Sequence, residues 1–221
     1  MQTKALSLES FKEMDYLVVE NYDLPIELMM ENAGLQLARL ISNITSNIAL
    51  KDSKVTMGIG NGNNGGGGLV AARRLAAWGY DVYLDLAVPI TKDLPKAQLK
   101  RALLFGTKEG CPAKTDIWVD AYLGFSQHLP LSPVFMERIN LANASGAHRI
   151  SLDIPTGISG DGTHRMFKAN TVLTLAAPKK ILGILPPETD IFVADIGIPK
   201  DVYKKFDIKM PDFFKEQILK T

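Results

Sequence analysis

A run of glycine between a predicted strand and a predicted helix places the strongest constraint on this chain. Residues 58–68 read GIGNGNNGGGG, and seven of these eleven residues are glycine. Glycine lets the backbone adopt positive φ and lets a ligand approach the main chain closely. The helix that follows presents unpaired N–H groups and the positive end of its dipole, which together bind phosphate. The run is therefore predicted to be a phosphate-binding loop, and a flexible turn without a ligand is the alternative.

The same run contains the GxGxxG pattern of dinucleotide-binding proteins. The pattern extends from Gly60 to Gly65, and Asp85 follows about twenty residues later, where such proteins place an acid that binds the ribose. An ordinary nicotinamide dehydrogenase is one interpretation. It requires a substrate domain, for which little of the 221-residue chain remains. In the other interpretation, Asp85 is an acidic residue at the end or edge of a strand and binds no ligand.

Strands and helices alternate along the chain, which predicts an α/β fold with a parallel sheet covered by helices on both faces. Short apolar strands are predicted over 55–59, 82–88, 117–123, 149–154, 171–176 and 191–194. Helices are predicted over 8–21, from Pro25 to about 46, and over 69–78, 95–105 and 133–144. The chain is expected to form a single domain over residues 1–221, with the helix pair of residues 1–50 packed on the sheet.

Acidic and hydroxyl side chains stand where two of the predicted strands end. Asp120 lies late in the apolar segment IWVDAYLGF, and Asp153 and Thr156 lie in the segment LDIPTG, where Pro155 stops the strand. The carboxyl ends of parallel strands meet at one edge of the sheet, where such sheets bind ligands. With the Asn64 amide, these oxygens suit a hard cation, and the carboxylates also suit general acid/base chemistry. The alternative for a single acid at a strand end is a structural hydrogen bond to a loop.

Two loop residues can reach the same edge of the sheet. His128 lies in the loop that follows Asp120, and Lys92 lies just past the second strand in PITKDLP. For an isolated loop histidine or lysine, a solvated surface position is the default.

Composition argues against several other classes of function. The formal net charge is +1 and the lysines and arginines are scattered, so nucleic-acid binding is not expected. Cys111 is the single cysteine, which excludes an internal disulfide and fits a reducing compartment. The N-terminus lacks the apolar segment of a signal peptide, and no apolar run reaches the ~18 residues of a membrane helix. A cytoplasmic protein is expected.

Six segments in order along the chain resemble the YjeF N-terminal family, whose enzymes epimerise hydrated NADH and NADPH. They are LMMENAG at 28–34, GNGNNGGGGLVAARRLAAWGYDV at 60–82, VDAYLGFS at 119–126, SLDIPTGISGDG at 151–162, TLAAPKK at 174–180 and VADIGIP at 193–199. The resemblance covers nearly the whole chain. It implies a Rossmann-like three-layer αβα sandwich with a mostly parallel sheet, a homodimer, and the stand-alone form of the epimerase.

The resemblance also implies which residues form the site. The dinucleotide would bind to two segments and one acid, namely Asn63, Asn64, Gly65, Gly66 and Gly67, then Gly124, Phe125, Ser126, Gln127, His128, Leu129 and Pro130, and finally Asp153. A potassium ion would bind to Asn64, Asp120 and Thr156. Asp120, with Lys92, would be catalytic. The substrate carries a hydroxyl on C6 of the reduced nicotinamide ring, and its configuration is lost by ring opening or by loss and return of water. Either route needs one group to take a proton and another to give one.

One position departs from the family. The family's loop reads GNNGGDG, and this chain has Gly67 where the aspartate is expected. The backbone that holds a phosphate needs no side chain, but whatever the carboxylate did is lost. The rival interpretation is therefore a catalytically weakened nucleotide-binding module or a dimeric scaffold, because relatives of this domain serve in an mRNA-decapping scaffold without epimerase chemistry.

Overall fold

The computed structural model describes residues 5–47, 53–160, 162, 165–213 and 218–221. These residues contain the helices α1 Leu8–Tyr22, α2 Ile26–Asn47, α3 Asn63–Ala77, α4 Asp93–Leu104, α5 Pro133–Ala144 and α6 Lys200–Lys205. The strands are β1 Lys54–Ile59, β2 Asp81–Leu86, β3 Lys108–Glu109, β4 Ile117–Ala121, β5 His148–Leu152, β6 Thr171–Leu175, β7 Asp190–Ala194 and β8 Ile218–Lys220. A short 3-10 helix covers Lys180–Ile184. Residues 1–4 and 48–50 of the predicted helix pair, and the other gaps in the predicted 1–221 domain, lie outside the described residues.

All eight strands form one sheet in the order β3-β2-β1-β4-β5-β6-β7-β8. Every neighbouring pair is parallel except β7 and β8, which are antiparallel. The chain builds outward from β1 to β3 and then returns to place β4 on the other side of β1. Sheets of this kind bind ligands at the carboxyl ends of the strands where the order reverses, which here lies between β1 and β4.

Helices cover both faces of the sheet, which confirms the predicted three-layer α/β fold. On one face, alternate residues of β1 and β4 such as Met57 and Val119 pack with Leu37 of α2 and Leu75 of α3. On the other face, Trp118 packs with the buried residues of α5. None of the helices in the described parts of the chain is long and apolar enough to cross a membrane.

The N-terminal helix α1 is fixed against the end of β6 and the segment that follows it. Ser7 caps the helix, since its side chain accepts a hydrogen bond from the Ser10 N–H. Leu6 donates its N–H to Pro178 O and accepts a bond from Lys180 N, both at 2.8 Å. The buried face of α1 then packs into a cluster with α6 and the ends of β6 and β7.

The predicted strands and helices are all present, with shifted ends. The largest shift is in α3, predicted over 69–78, which begins at Asn63. Residues 63–68 of the glycine run thus form the start of this helix, and the prediction of a loop over these residues is wrong. The elements that were not predicted, β3, β8, α6 and the 3-10 helix, have two to six residues and are too short to show a hydrophobic period.

Candidate active site

A pocket opens at the carboxyl ends of β1, β4 and β5, where the strand order reverses. The polar part of its wall includes Gly62, Asn63, Asn64, Lys92, Ser126 and Gln127. Another part of the wall is mostly apolar and includes Phe11, Ile26, Met29, Met30, Ala33, Leu175 and Ile196, together with Asp15. The pocket thus suits a ligand with a charged part and a flat apolar part.

Many residues predicted for the site line this pocket. They are Lys92, Asn63, Asn64, Gly67, Gly124, Phe125, Ser126, Gln127 and Asp153. Other predicted residues lie outside its wall, namely Gly65, Gly66, Asp120, His128, Leu129, Pro130 and Thr156. Gly65 and Gly66 lie within α3. The loop residues His128, Leu129 and Pro130 follow Gln127 and do not line the pocket.

Two glycines in the first two turns of α3, Gly65 and Gly68, are required by close packing and not by positive φ. A Cβ on Gly65 would stand 1.9 Å from Gly60 O, and one on Gly68 would stand 2.6 Å from the Ala121 Cβ. A Cβ on Gly66 would stand 2.5 Å from the Met30 Cε of α2, which is the end of a flexible side chain. The helix can therefore lie directly on β4 and α2, and this close packing brings its N-terminal N–H groups to the pocket.

Asp120 is fully buried and receives hydrogen bonds at both carboxylate oxygens. Its Oδ2 accepts from Thr156 N at 2.7 Å and from Ser151 Oγ at 3.1 Å. Its Oδ1 accepts from Thr156 Oγ1 at 2.6 Å and from Tyr122 N at 3.3 Å. Burial raises the pKa of Asp120 to about 6, and these donors, Thr156 first, oppose the shift. The carboxylate can therefore change its protonation near neutral pH, at a place that the open pocket does not reach.

Asn64 lies between Asp120 and the pocket wall, where main-chain oxygens converge. Its amide nitrogen donates to Leu123 O at 2.8 Å and to Leu152 O at 3.2 Å. Thr156 Oγ1 accepts a bond from Leu123 N at 3.1 Å, so the three predicted potassium ligands meet around one short segment after β4. The set consists of carboxylate, hydroxyl, amide and carbonyl oxygens, which are the ligands of a hard cation.

Asp153 has a left-handed backbone, with φ of 71°. Its side chain is 3% exposed and forms a 2.7 Å ion pair with Lys179, which is fully buried. The Phe125 N–H donates to its second oxygen at 3.2 Å. Burial lowers the pKa of Lys179, while the charges of Asp153 and Asp15 raise it. A buried pair held by additional hydrogen bonds marks a fixed wall of the pocket.

Lys179 and Asp15 were not among the predicted site residues. Lys179 follows an apolar strand in the segment TLAAPKK, and nothing local distinguishes it from Lys180. Asp15 offered a signal, because it stands at helical spacing with Phe11 and Val18 on the buried face of α1. A carboxylate on an apolar helix face indicates a partner or a task.

Asp85 lies on the opposite side of the sheet from α3. It accepts a 2.5 Å hydrogen bond from the Tyr122 hydroxyl, and Arg138 lies 3.5 Å from its other oxygen. Burial and the charge of Asp85 raise the pKa of Tyr122 above its ordinary value. Asp85 does not line the pocket. The structure therefore favours the strand-end interpretation of Asp85 over the ribose-binding one.

The sheet order, the glycine-rich helix start and the pocket at the reversal point define a Rossmann-like α/β protein with a candidate nucleotide site. The sequence profile of the family described as YjeF-related protein N-terminus matches residues 26–181. The chain therefore belongs to the YjeF N-terminal family, as its sequence segments predicted.

Relatives of known name extend this match over most of the chain. The NAD(P)H-hydrate epimerase of Rhodopirellula baltica is 34% identical, covering 94% of this chain and 90% of the relative. The protein of the same name from Dehalogenimonas lykanthroporepellens is 34% identical, covering 92% and 86%. The bifunctional NAD(P)H-hydrate repair enzyme Nnr of Thermofilum pendens is 33% identical, covering 94% of this chain and 43% of that longer protein.

A solved structure supports the fold independently. The crystal structure of yeast ynu0 superposes with a TM-score of 0.85 over 99% of this chain and 100% of the yeast chain. At 23% sequence identity this likeness shows the fold alone.

Proposed function

We propose that this protein is an isomerase that interconverts the (R) and (S) epimers of hydrated NADH and NADPH. The observation that carries the proposal is the name NAD(P)H-hydrate epimerase, shared by relatives that align with more than nine-tenths of the chain. The pocket supports it, because a helix N-terminus and Lys92 suit the pyrophosphate while the apolar wall suits the reduced ring. The activity belongs to the repair of damaged dinucleotides.

The proposed reaction needs a proton to leave and to return near C6 of the ring, and Asp120 and Lys92 are the predicted catalytic residues. Lys92 supports this role by lining the pocket, at the N-terminus of α4. Asn61 holds its backbone in place, because Asn61 Oδ1 accepts bonds from Thr91 N at 2.8 Å and Lys92 N at 3.0 Å. The pKa of Asp120 near 6 suits proton exchange, but the carboxylate is fully buried and does not line the pocket, whereas Asn64 and Thr156 contact the same segment after β4. These contacts favour Asp120 as a cation ligand over Asp120 as the group that touches the substrate.

We also propose that potassium is the resident cation, bound by Asn64, Asp120 and Thr156 with the carbonyl oxygens of Leu123 and Leu152 nearby. The donor set fits, because it is built of oxygen ligands, and because rotation of the Asn64 amide would present its oxygen beside the two carbonyls. When bound, the ion supplies a positive charge that neutralises Asp120 and orders the pocket edge. The check is the melting temperature in potassium, sodium and choline chlorides, with Asn64→Leu as the variant and Asn143→Leu as a control outside the pocket. Identical melting temperatures in all three salts would reject the potassium proposal.

The activity is tested directly by incubating the protein with each purified epimer of hydrated NADH and of hydrated NADPH. Proton NMR of the C6 hydrogen follows the approach to the epimer equilibrium from both sides. Lys92→Met should slow the approach, while Lys100→Met, which removes an exposed lysine from the same helix, should not. A wild-type rate equal to the protein-free rate refutes the proposed function.

Gly67 supports a second candidate, a nucleotide-binding or dimeric scaffold module. It lines the pocket, and the family places a carboxylate there. If the wild-type protein is inactive but binds NADP⁺ in calorimetry, the binding-module function is supported. If the inactive protein binds no dinucleotide, the scaffold function is supported.

A homodimer and a cytoplasmic location complete the proposal. Exposed apolar residues at the end of α4, Leu104 at 75% and Phe105 at 50% exposure, support self-association. Light scattering after size exclusion checks the dimer, with Leu104→Lys as the disrupting variant, and a tagged chain checks the location.

A further inference from the structure

Asp15 brings a carboxylate into the apolar part of the pocket. It lies on α1 one turn after Phe11, and both residues line the pocket. The Phe11 ring meets the Phe125 ring edge-on at a centroid distance of 5.2 Å, which closes the wall on that side. Asp15 is partly buried, and the main-chain bonds of Leu6 to residues 178 and 180 hold the start of its helix. The carboxylate is thus a fixed part of the wall that suits the nicotinamide ring.

A buried ion pair lies behind this carboxylate. Lys179 Nζ lies 2.7 Å from Asp153 Oδ1, 2.9 Å from Thr174 Oγ1 and 3.0 Å from Leu175 O. Lys179 thus donates hydrogen bonds to Thr174 and Leu175 and forms an ion pair with Asp153, and the Phe11 ring covers its ammonium with the centroid at 3.7 Å. Lys179 does not line the pocket, whereas Asp153 and Asp15 do. The lysine therefore points at protein groups and not into the pocket, and its ammonium pairs with Asp153, which lines the pocket together with Asp15.

We propose that Asp15 is a further catalytic residue, the acid/base group that exchanges the proton at the hydroxyl-bearing ring carbon, with the Asp153–Lys179 pair as its positioning partner. The inference rests on the proposed epimerase function and names a residue for it. Asp15 lines the pocket and forms no ion pair or hydrogen bond with the residues that the structure describes, whereas Asp153 is paired and Asp120 is enclosed.

The electrostatic surroundings support this role. Burial raises the pKa of Asp15, the neighbouring charge of Asp153 raises it further, and the charge of Lys179 opposes both. The geometry agrees, because Asp153 is in direct contact with the buried cation and Asp15 is not. Asp15 is therefore the carboxyl group of the pocket wall that carries a proton more readily than an ordinary aspartate.

One carboxyl group can both donate and accept the proton that each chemical route requires. In water loss, the Asp15 carboxylic acid gives its proton to the C6 hydroxyl, water leaves, and the N1 lone pair forms the C6=N1 iminium. Water then adds to the opposite face and returns a proton to the Asp15 carboxylate. In ring opening, the carboxylate takes the hydroxyl proton, the C6–N1 electron pair goes to N1 as the aldehyde forms, and Asp15 delivers that proton to N1. Closure on the other face reverses these transfers, so Asp15 ends each cycle as it began.

The test compares wild type with Asp15→Asn, which keeps the size of the side chain and removes the acid. Glu13→Gln is the matched control, because it removes an exposed carboxylate from the same helix. Loss of a general acid/base costs about 10²–10⁴-fold, so Asp15→Asn should lower kcat by about 100-fold or more with KM changed less than about threefold. Glu13→Gln should retain the wild-type kcat.

An Asp15→Asn kcat within about threefold of wild type, or a loss confined to KM, overturns the role of Asp15 and leaves the epimerase function standing. A wild type that does not interconvert the epimers overturns both. Should Asp15→Asn fail to fold, Asp15→Glu decides: a lower kcat with a displaced pH–rate profile supports the role, and an unchanged kcat and profile overturn it.

Discussion

Replacing Gly65 by alanine should destabilise the protein, although local propensity predicts the opposite. Gly65 lies in the first turn of α3, where alanine favours a helix over glycine by about 0.5–1 kcal/mol. Its new Cβ, however, would stand 1.9 Å from Gly60 O, 2.8 Å from Gly60 C and 3.0 Å from Gly60 N. All three atoms are backbone, so no side chain can rotate away.

The size of the effect follows from how far the backbone must move. Reaching the 3.0 Å below which real Cβ contacts are essentially never found requires a shift of about 1.1 Å between α3 and Gly60. Gly60 has little room to retreat, because its N–H is bonded to Ala121 O at 3.3 Å and because a Cβ built on Gly60 would itself stand 1.8 Å from Tyr122 O. Overpacking of this kind costs about 1–3 kcal/mol and sometimes more, and the gain in helix propensity offsets about 0.5–1 kcal/mol of it, so we expect a net loss of about 1–3 kcal/mol. For a chain of this length the melting temperature should fall by about 2–12 °C.

Gly67→Ala is the matched control two residues further along the same helix. Its Cβ would lie 3.2 Å from the Leu152 Cδ2 methyl, the end of a side chain, and 4.0 Å from the Ala33 Cβ. The small adjustment of Leu152 and the gain in helix propensity roughly offset each other, so we expect a change within about 1 kcal/mol. Urea unfolding followed by circular dichroism measures both variants. A Gly65→Ala protein as stable as Gly67→Ala would refute the claim that packing against Gly60 dictates this glycine.

Three further predictions concern the charges of the site. Lys179→Met leaves Asp153 charged and buried without its cation and should cost about 3–5 kcal/mol of unfolding free energy, whereas exposed Lys180→Met should cost less than about 0.5 kcal/mol; equal losses in urea unfolding would contradict the ion-pair argument. The folded pKa of Asp120, about 6, lies above its unfolded value of 3.8, so its stabilising contribution is complete below pH 3.8 and is lost as pH rises through 6. In potassium-free buffer, the difference in unfolding free energy between wild type and Asp120→Ala should therefore shrink by about 2 kcal/mol from pH 4 to pH 7, and a difference independent of pH would oppose this. The backbone at Gly67 is helical, so Gly67→Asp requires no left-handed conformation. The variant should raise epimer turnover if the missing carboxylate limits the wild type. Equal turnover would show that the wild type does not need this carboxylate.

The predicted site and the observed pocket agree where the chain itself brings residues to a strand end. Asn64, Gly124 and Asp153 follow β1, β4 and β5, and parallel strands carry their ends to one edge whatever the loops do. The separation of Asp120 from the pocket could not be predicted in this way. It depends on Thr156, 36 residues later, whose N–H and hydroxyl enclose the carboxylate.

The sequence by itself determined the α/β class, the location of the ligand site at the carboxyl edge of the parallel sheet, and the family. These could be read from the chain because hydrophobic periods, turn residues and ordered sequence segments are local properties. Tertiary structure alone decided that residues 63–68 of the glycine run begin a helix. Glycines within a helix are locally unfavourable, and Gly65 and Gly68 are required only because Gly60 and Ala121 leave no room for a Cβ. It also decided that Asp15, Asp153 and Lys179 form one charged group. These residues come from a helix, a turn and a strand end, and the free energy that places a buried lysine beside two carboxylates exists only once those elements have packed.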